Sequence, residues 1–299
     1  MNYESLKNII SIPTEEKAVF KNLIRKTRAE FISTPSEIVE NIFQENEEVL
    51  IGVISKHDIS ETIHLLREKT YESFLIEESD FNVEILSKVT RSLNTPIEIF
   101  NVIANKRLDL NASEAVLMSQ IANVCGEYAG RISPYIYELC LSNTQSRRSR
   151  AGKTFEAIIY RLYEAFSYEF SSQKAVGKAT FSAHGLGKMV DSLLPSISRF
   201  EQRRDKVIIG TMKTTLRERW QEVVEELQRT GLPSIHLLTM DDDISISKAT
   251  QMGKHNVIIV VPKHVKNSAK LKEMSNIISF ETYFLEEIPD MIRYWESQK

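Results

Sequence analysis

Apolar residues follow one period through the first half of the chain and alternate between two periods in the second. Thr14 followed by Glu15 and Glu16 marks a helix start, and Ala18, Val19, Leu23 and Ile24 form an apolar face at helical spacing. Pro35-Ser36 interrupts that pattern before a second amphipathic run over 38–42. The stretch 49–54 fits a short strand or a buried helical turn equally well, because periodicity does not separate the two. Further helical patterns cover about 60–69, 82–93, 96–104 and 113–128, the last with Ser113 as its cap.

The second half reads differently. A polar stretch over 141–146 predicts a loop, and a helix follows from Lys153 to about Glu169, with Phe155, Ile158, Ile159, Leu162, Ala165 and Phe166 on its core face. Strands are predicted at 181–191, 206–212, 235–238, 257–261 and 277–280. Helices are predicted at 216–228, 247–252 and 269–274. Strands joined by helical connections imply an α/β fold, a mostly parallel sheet covered on both faces. The chain therefore divides into a mainly helical domain, 1–142, and a sheet domain, 143–299.

The strand VIIGTMK carries the first chemistry. Alternation sends Ile209, Thr211 and Lys213 to one face, so a charged nitrogen emerges where an apolar strand meets its following loop. Active sites of open α/β sheets collect at such strand ends, although a lysine there is more commonly a solvated edge charge. The preceding strand delivers Asp191 to its carboxyl end, and a loop with Arg199, Arg203 and Arg204 joins the two. Glu156 falls close to the apolar stripe of its helix, so its partly buried carboxylate needs a cation nearby. After Lys213 comes a helix with Trp220, Val223, Val224 and Leu227 on its apolar side. Glu222, Glu225 and Glu226 lie at spacings that bring a pair of them to one side of it. The run Asp241-Asp242-Asp243 reads as a solvated loop, because consecutive side chains diverge.

Charge separates the halves. The 299 residues carry a net charge of -3. Residues 1–142 contribute -8 and residues 143–299 contribute +5, with +8 concentrated between Arg147 and Trp220. A polyanion would dock on the basic half. No apolar run is long enough to span a membrane, and the N-terminus lacks the pattern of a secretory signal, which points to a cytoplasmic protein. Cys125 and Cys140 have no metal-ligand spacing and read as two buried, reduced thiols. Together, Glu156, Asp191, Lys213 and a glutamate of the following helix describe a hard-oxygen cation site beside a polyanion groove, the chemistry that suits Mg²⁺ and phosphate oxygens.

Two runs carry a family resemblance. Met212-Lys213-Thr214-Thr215-Leu216-Arg217-Glu218-Arg219-Trp220, together with Arg147-Arg148-Ser149-Arg150-Ala151-Gly152-Lys153-Thr154-Phe155-Glu156, resembles the catalytic domain of the EcoRII-type restriction endonucleases and the wider group that cuts CCGG or CCNGG sequences. The resemblance covers residues from about 146 onward. It implies the PD-(D/E)xK nuclease core, a central mixed sheet flanked by helices, and Mg²⁺-dependent hydrolysis of both strands of duplex DNA leaving 5'-phosphates. It further implies that Asp191, Glu156 and Glu226 hold the metal, with Thr211 standing where the usual second acid would be and Glu226, 13 positions after Lys213, replacing it. Glu222 or Glu225 are alternatives to Glu226, and Val190 rather than proline precedes Asp191. Arg217, Glu218 and Arg219 match the element that reads G:C pairs, and arginine does pair with guanine O6 and N7 while glutamate accepts from cytosine N4. Arg147, Arg148 and Arg150 are assigned to phosphates or flanking bases. A palindromic target implies a homodimer or higher homo-oligomer. The alternative is a DNA-binding or repair-associated protein that keeps the nuclease fold without cutting.

Overall fold

Among the described residues, seven α-helices precede the sheet: α1 (Thr14–Phe31), α2 (Pro35–Glu45), α3 (Glu47–Ser55), α4 (Ile59–Ser92), α5 (Asn94–Arg107), α6 (Glu114–Arg131) and α7 (Ser133–Ala165). The computed structural model describes residues 3, 6, 10–216 and 220–298. Two compact units make up the chain, one of Met1–Thr34 and Tyr71–Ser149, the other of Pro35–Thr70 and Arg150–Lys299. No helix among the described residues is long and apolar enough to cross a membrane.

The helical half follows its apolar period with instructive departures. The face that α1 buries is Phe20, Ile24 and Thr27, whereas Val19 is half exposed. The ambiguous stretch 49–54 is helical, within α3. The two patterns expected at 60–69 and 82–93 belong to one helix, α4. Its buried stripe runs Ile59, Ile63, Leu66, Thr70, Phe74, Glu78, Phe81, Ile85 and Val89, and two polar members obscure it in the sequence. Thr70 satisfies its hydroxyl on Leu66 O at 2.6 Å, and Glu78 is paired with Arg147. The loop predicted at 141–146 is likewise absent, since α7 runs unbroken through it. Asn143 is buried there because Arg28 donates to its Oδ1 at 2.7 Å and its Nδ2 donates to Asn82 Oδ1 at 2.8 Å. Partners far away in sequence thus turn polar positions into interior ones. Cys125 and Cys140 are free but exposed, not buried.

The other unit is built on a six-stranded sheet in sequential order. Its strands are β1 (Ser171–Ser172), β2 (Ser192–Leu194), β3 (Ile208–Lys213), β4 (Ile235–Thr239), β5 (Val257–Val261) and β6 (Ile277–Ser279). β1, β2 and β3 pair antiparallel, and β3 to β6 pair parallel, so the sheet is mixed. Short helices α8 (Gln173–Val176) and α9 (Lys178–Ala183) separate β1 from β2, and α10 (Ile197–Gln202) separates β2 from β3. The parallel strands are joined by α11 (Trp220–Thr230), α12 (Ile246–Lys254) and α13 (Lys263–Lys266). The segment 269–274, expected as a helix, consists of turns. After β6 the chain passes through α14 (Phe280–Thr282) and one π-helical turn, Tyr283–Glu287, into α15 (Ile288–Glu296).

Every residue of β4 is buried, and β3 is buried from Ile208 to Met212, as strands covered on both faces must be. α11 lays Val223, Val224 and Leu227 against this core. Burial of side chains of this size contributes about 1.5 to 3 kcal/mol each, which holds the helix against the sheet end where Lys213 emerges.

Candidate active site

β3 ends on Lys213, as its pattern predicts. The approach of Asp191 differs from expectation. The stretch 181–191 is not a strand: it opens as the end of α9 and continues through turns, with Gly185 at φ +75°. Asp191 then stands immediately before β2. Because β2 runs antiparallel to β3, with Ser192 opposite Gly210, the amino end of β2 lies beside the carboxyl end of β3. A different polarity therefore brings Asp191 and Lys213 to the same place. Gly210 makes the approach possible, since a Cβ there would meet Ser192 Oγ at 2.4 Å.

The Asp191 backbone is fastened on three sides. Its amide donates to Gly210 O at 2.9 Å, while its carbonyl accepts from Gln173 N at 3.0 Å and from Tyr160 Oη at 2.9 Å. Burial first, then the charges of Asp191 and Glu156, raise the Tyr160 phenol well above its ordinary range, so it stays a neutral donor. The carboxylate is oriented from β3: Oδ2 accepts from Met212 N at 2.7 Å, from Thr211 Oγ1 at 3.3 Å and from Lys213 Nζ at 3.4 Å. Lys213 Nζ also donates to Met212 O at 3.0 Å. Both side chains are largely shielded, 14% exposed for Asp191 and 16% for Lys213, and an ion pair so placed is screened less than a surface pair. All of these bonds fall on Oδ2, so Oδ1 carries no hydrogen bond from the described residues.

Glu156 comes from α7, half-buried beside the core residues Phe155, Ala157, Ile158 and Ile159. Its carboxyl is pushed up to about 7, first by burial and then by the charge of Asp191, against the opposing pull of Lys213, Lys153 and Lys174. Two carboxylates that repel one another here are an electrostatic deficit that a divalent cation would relieve, and hard oxygens are the donors that such an ion takes.

Glu226 is not brought into this pair. On α11 its carboxylate accepts from the amide of Lys188 and forms a two-point ion pair with Arg229, at 2.8 and 3.0 Å. Arg229 first, with the amides of Lys188 and Met189, holds its carboxyl low against the effect of burial. Gly187 leaves the space that the side chain occupies, since a Cβ there would collide with Glu226 Oε1. Glu222 and Glu225 are exposed. Accordingly, among the described residues no group of three His, Cys, Asp or Glu side chains is placed to hold a metal.

The remaining assignments divide. Arg217, Glu218 and Arg219 lie outside the described residues. Arg147 is engaged by the buried carboxylate of Glu78, Arg148 is exposed and Arg150 is half-buried. Asp241, Asp242 and Asp243 lie between β4 and α12, the first half-buried and the other two exposed, so the reading of a solvated loop describes the last two and not Asp241. Tyr160 and Gln173 are site residues that sequence reasoning does not identify. Tyr160 carried a usable signal, because it follows Glu156 at i+4 on the same helix face. Gln173 carried none, since its amide donates to the Asp191 carbonyl and its Nε2 to the Val190 carbonyl at 3.1 Å, contacts to backbone that no spacing in the sequence announces.

Known proteins resemble this chain in sequence and in fold. The family model of the EcoRII C-terminal domain matches residues 114–284. The type II restriction enzyme SsoII of Shigella sonnei is 31% identical over 285 residues, covering 93% of this chain and 84% of that protein. Among solved structures, metal-depleted Ecl18kI in complex with uncleaved, modified DNA matches with a TM-score of 0.72 at 29% identity, over 92% of this chain and 84% of the other. The complex of restriction endonuclease PspGI with substrate DNA matches in fold, with a TM-score of 0.59 at 19% identity over 89% of this chain and 94% of the other. With its mixed sheet, its lysine at a buried strand end and the aspartate pinned beside it, the chain belongs to the EcoRII-like family of type II restriction endonucleases, site-specific nucleases of DNA.

Proposed function

We propose that this enzyme is a cytoplasmic, Mg²⁺-dependent endonuclease that cuts both strands of DNA at a palindromic site with a CCGG or CCNGG core, and that it acts as a homodimer or higher homo-oligomer. Catalysis and recognition belong to residues 143–299, and residues 1–142 serve assembly. The observation that carries the reading is the Asp191 carboxylate, held on Oδ2 by Met212 N, Thr211 and Lys213 while its Oδ1 accepts no hydrogen bond from the described residues, with the Glu156 carboxyl beside it raised by burial and by the Asp191 charge.

Asp191 and Glu156 would hold the ion, and two carboxylates are a sufficient protein contribution for Mg²⁺, which keeps several waters and takes substrate phosphate oxygens. When bound, Mg²⁺ polarises a phosphoryl oxygen and lowers the pKa of water. Lys213 would hold the attacking water in place by donating to it from the Nζ ammonium that is paired with Asp191, the proton that the water loses passing to solvent and the departing 3' oxygen taking one from solvent. Attack at phosphorus breaks the bond to the 3' oxygen, leaving a 5'-phosphate and a 3'-hydroxyl. Met212 N and Tyr160 keep Asp191 in place throughout, so the site does not reorganise during the step. Glu226 joins the ligand set only by leaving Arg229 and the Lys188 amide.

Sequence is read by Arg217 and Arg219, each donating to guanine O6 and N7, and by Glu218 accepting from cytosine N4; a good bidentate pair contributes about 1 to 3 kcal/mol of discrimination. Arg148 and Arg150 contact phosphates and set position. Arg147, taken by Glu78, serves to hold α7. Incubation of plasmid DNA with Mg²⁺ tests the reading: discrete fragments whose ends share one CC/GG core are expected, with none formed in chelator. Retarded but uncut plasmid would refute it.

A further inference from the structure

Asp241 is the residue whose contacts least resemble those of a solvated loop. Its side chain is half-buried while Asp242 and Asp243 are exposed. Oδ2 accepts from Leu216 N at 2.7 Å, and Oδ1 accepts from Asp243 N at 3.0 Å. Its own amide donates to Oγ1 of the fully buried Thr239 at 3.1 Å. Thr239 is the residue of β4 that pairs with Lys213 of β3. The two strands thus leave the sheet side by side, and Asp241 ties the loop after one to the loop after the other.

Both ends of this tie are anchored. Leu216 is 1% exposed and Ile244 is fully buried, and both belong to the same core cluster. Leu216 is therefore held at its side chain by the core and at its amide by a carboxylate, and the next residue in the chain is Arg217. Base readout demands that side chains be placed within about 0.5 Å of productive geometry, whereas attraction to phosphates tolerates movement. A tie at the residue before the reading element serves the first and is immaterial to the second.

We propose that Asp241 is a positioning residue for sequence recognition, a carboxylate that sets the point from which Arg217, Glu218 and Arg219 depart. The inference rests on the assignment of those three residues as the base-reading element. Lys213 does not depend on the tie, since it is placed by its pairing with Thr239 and by Asp191 and Met212 O.

The test is a ratio of affinities. Binding is measured without divalent metal to two duplexes, one carrying the site defined by sequenced fragment ends and one with a single core G:C pair changed to A:T. Asp241→Ala is expected to lower the ratio of the two affinities about tenfold by weakening the cognate complex alone, while single-turnover cleavage at saturating enzyme changes much less. Asp241→Asn, which keeps an acceptor for Leu216 N, is expected to restore most of the ratio. An unchanged ratio in folded Asp241→Ala, or equal weakening on both duplexes, overturns the proposal. Should that variant fail to fold, Thr239→Val carries the test, with a loss of at least about threefold in the ratio expected and no loss overturning the inference. Wild-type protein that binds both duplexes equally would instead remove the assignment of Arg217 to Arg219, a failure recognisable before any variant is made.

Discussion

Replacing Glu156 by glutamine removes an acid that this site holds above its ordinary range. Burial and the Asp191 charge push its carboxyl from 4.5 to about 7, so between those values the folded protein keeps a proton that the unfolded chain has released. Stability then falls as pH rises through this window: the penalty is absent below about 4.5, grows up to about 7 and is complete above it. For a fully shielded group a shift of this size corresponds to about 3 kcal/mol. Solvent screening of a half-buried carboxyl reduces it to about 1 to 2 kcal/mol. Glu156→Gln places a neutral side chain of the same shape there. The metal-free variant is expected to be about 1 to 2 kcal/mol more stable than wild type at pH 8, with the difference shrinking toward zero as pH falls to about 4.5. Urea unfolding at a series of pH values measures this difference directly. Millimolar Mg²⁺ should stabilise wild type more than the variant, because the ion favours the charged carboxylate. A difference between the two proteins that stays flat from pH 5 to pH 8 would refute the reasoning.

Lys213→Ala should slow cleavage about 10²- to 10⁴-fold while gel-shift affinity for cognate DNA persists; undiminished cutting would take Lys213 out of the mechanism. Arg219→Ala should lose discrimination between G:C and A:T core pairs by about 1 to 3 kcal/mol, and an unchanged preference in competition binding would contradict the readout assignment. Tyr160→Phe deletes the 2.9 Å bond to the Asp191 carbonyl, which should cost about 1 kcal/mol of stability and slow single-turnover cleavage by less than about tenfold; a loss as large as that of Lys213→Ala would make Tyr160 part of the chemistry itself.

Where the sequence was legible, a short-range signal agreed with the tertiary outcome. β5 is an uninterrupted apolar run and lies in the interior of the sheet, and β3 is buried along its length up to the lysine that ends it. Glu156 stands out because it neighbours a helical apolar stripe, and the structure gives that conflict its electrostatic consequence. Asp191 was placed beside Lys213 through the wrong local structure: only the antiparallel pairing of β2 with β3 shows that the start of one strand and the end of the other are neighbours.

What the amino-acid order determined by itself was the pattern of apolar faces, the charge difference between the halves and the residue types available for hydrolysis near one strand end. Each follows from properties that a residue carries wherever it sits. What the tertiary structure alone decided was which polar groups are satisfied. Glu78 and Asn143 enter the interior of helices that their polarity interrupts in the sequence, Glu226 reaches the Lys188 amide, and Asp241 reaches Leu216 from the neighbouring loop. A hydrogen bond or ion pair of this kind depends on two groups far apart in the chain arriving at about 3 Å, and no period or propensity encodes that meeting.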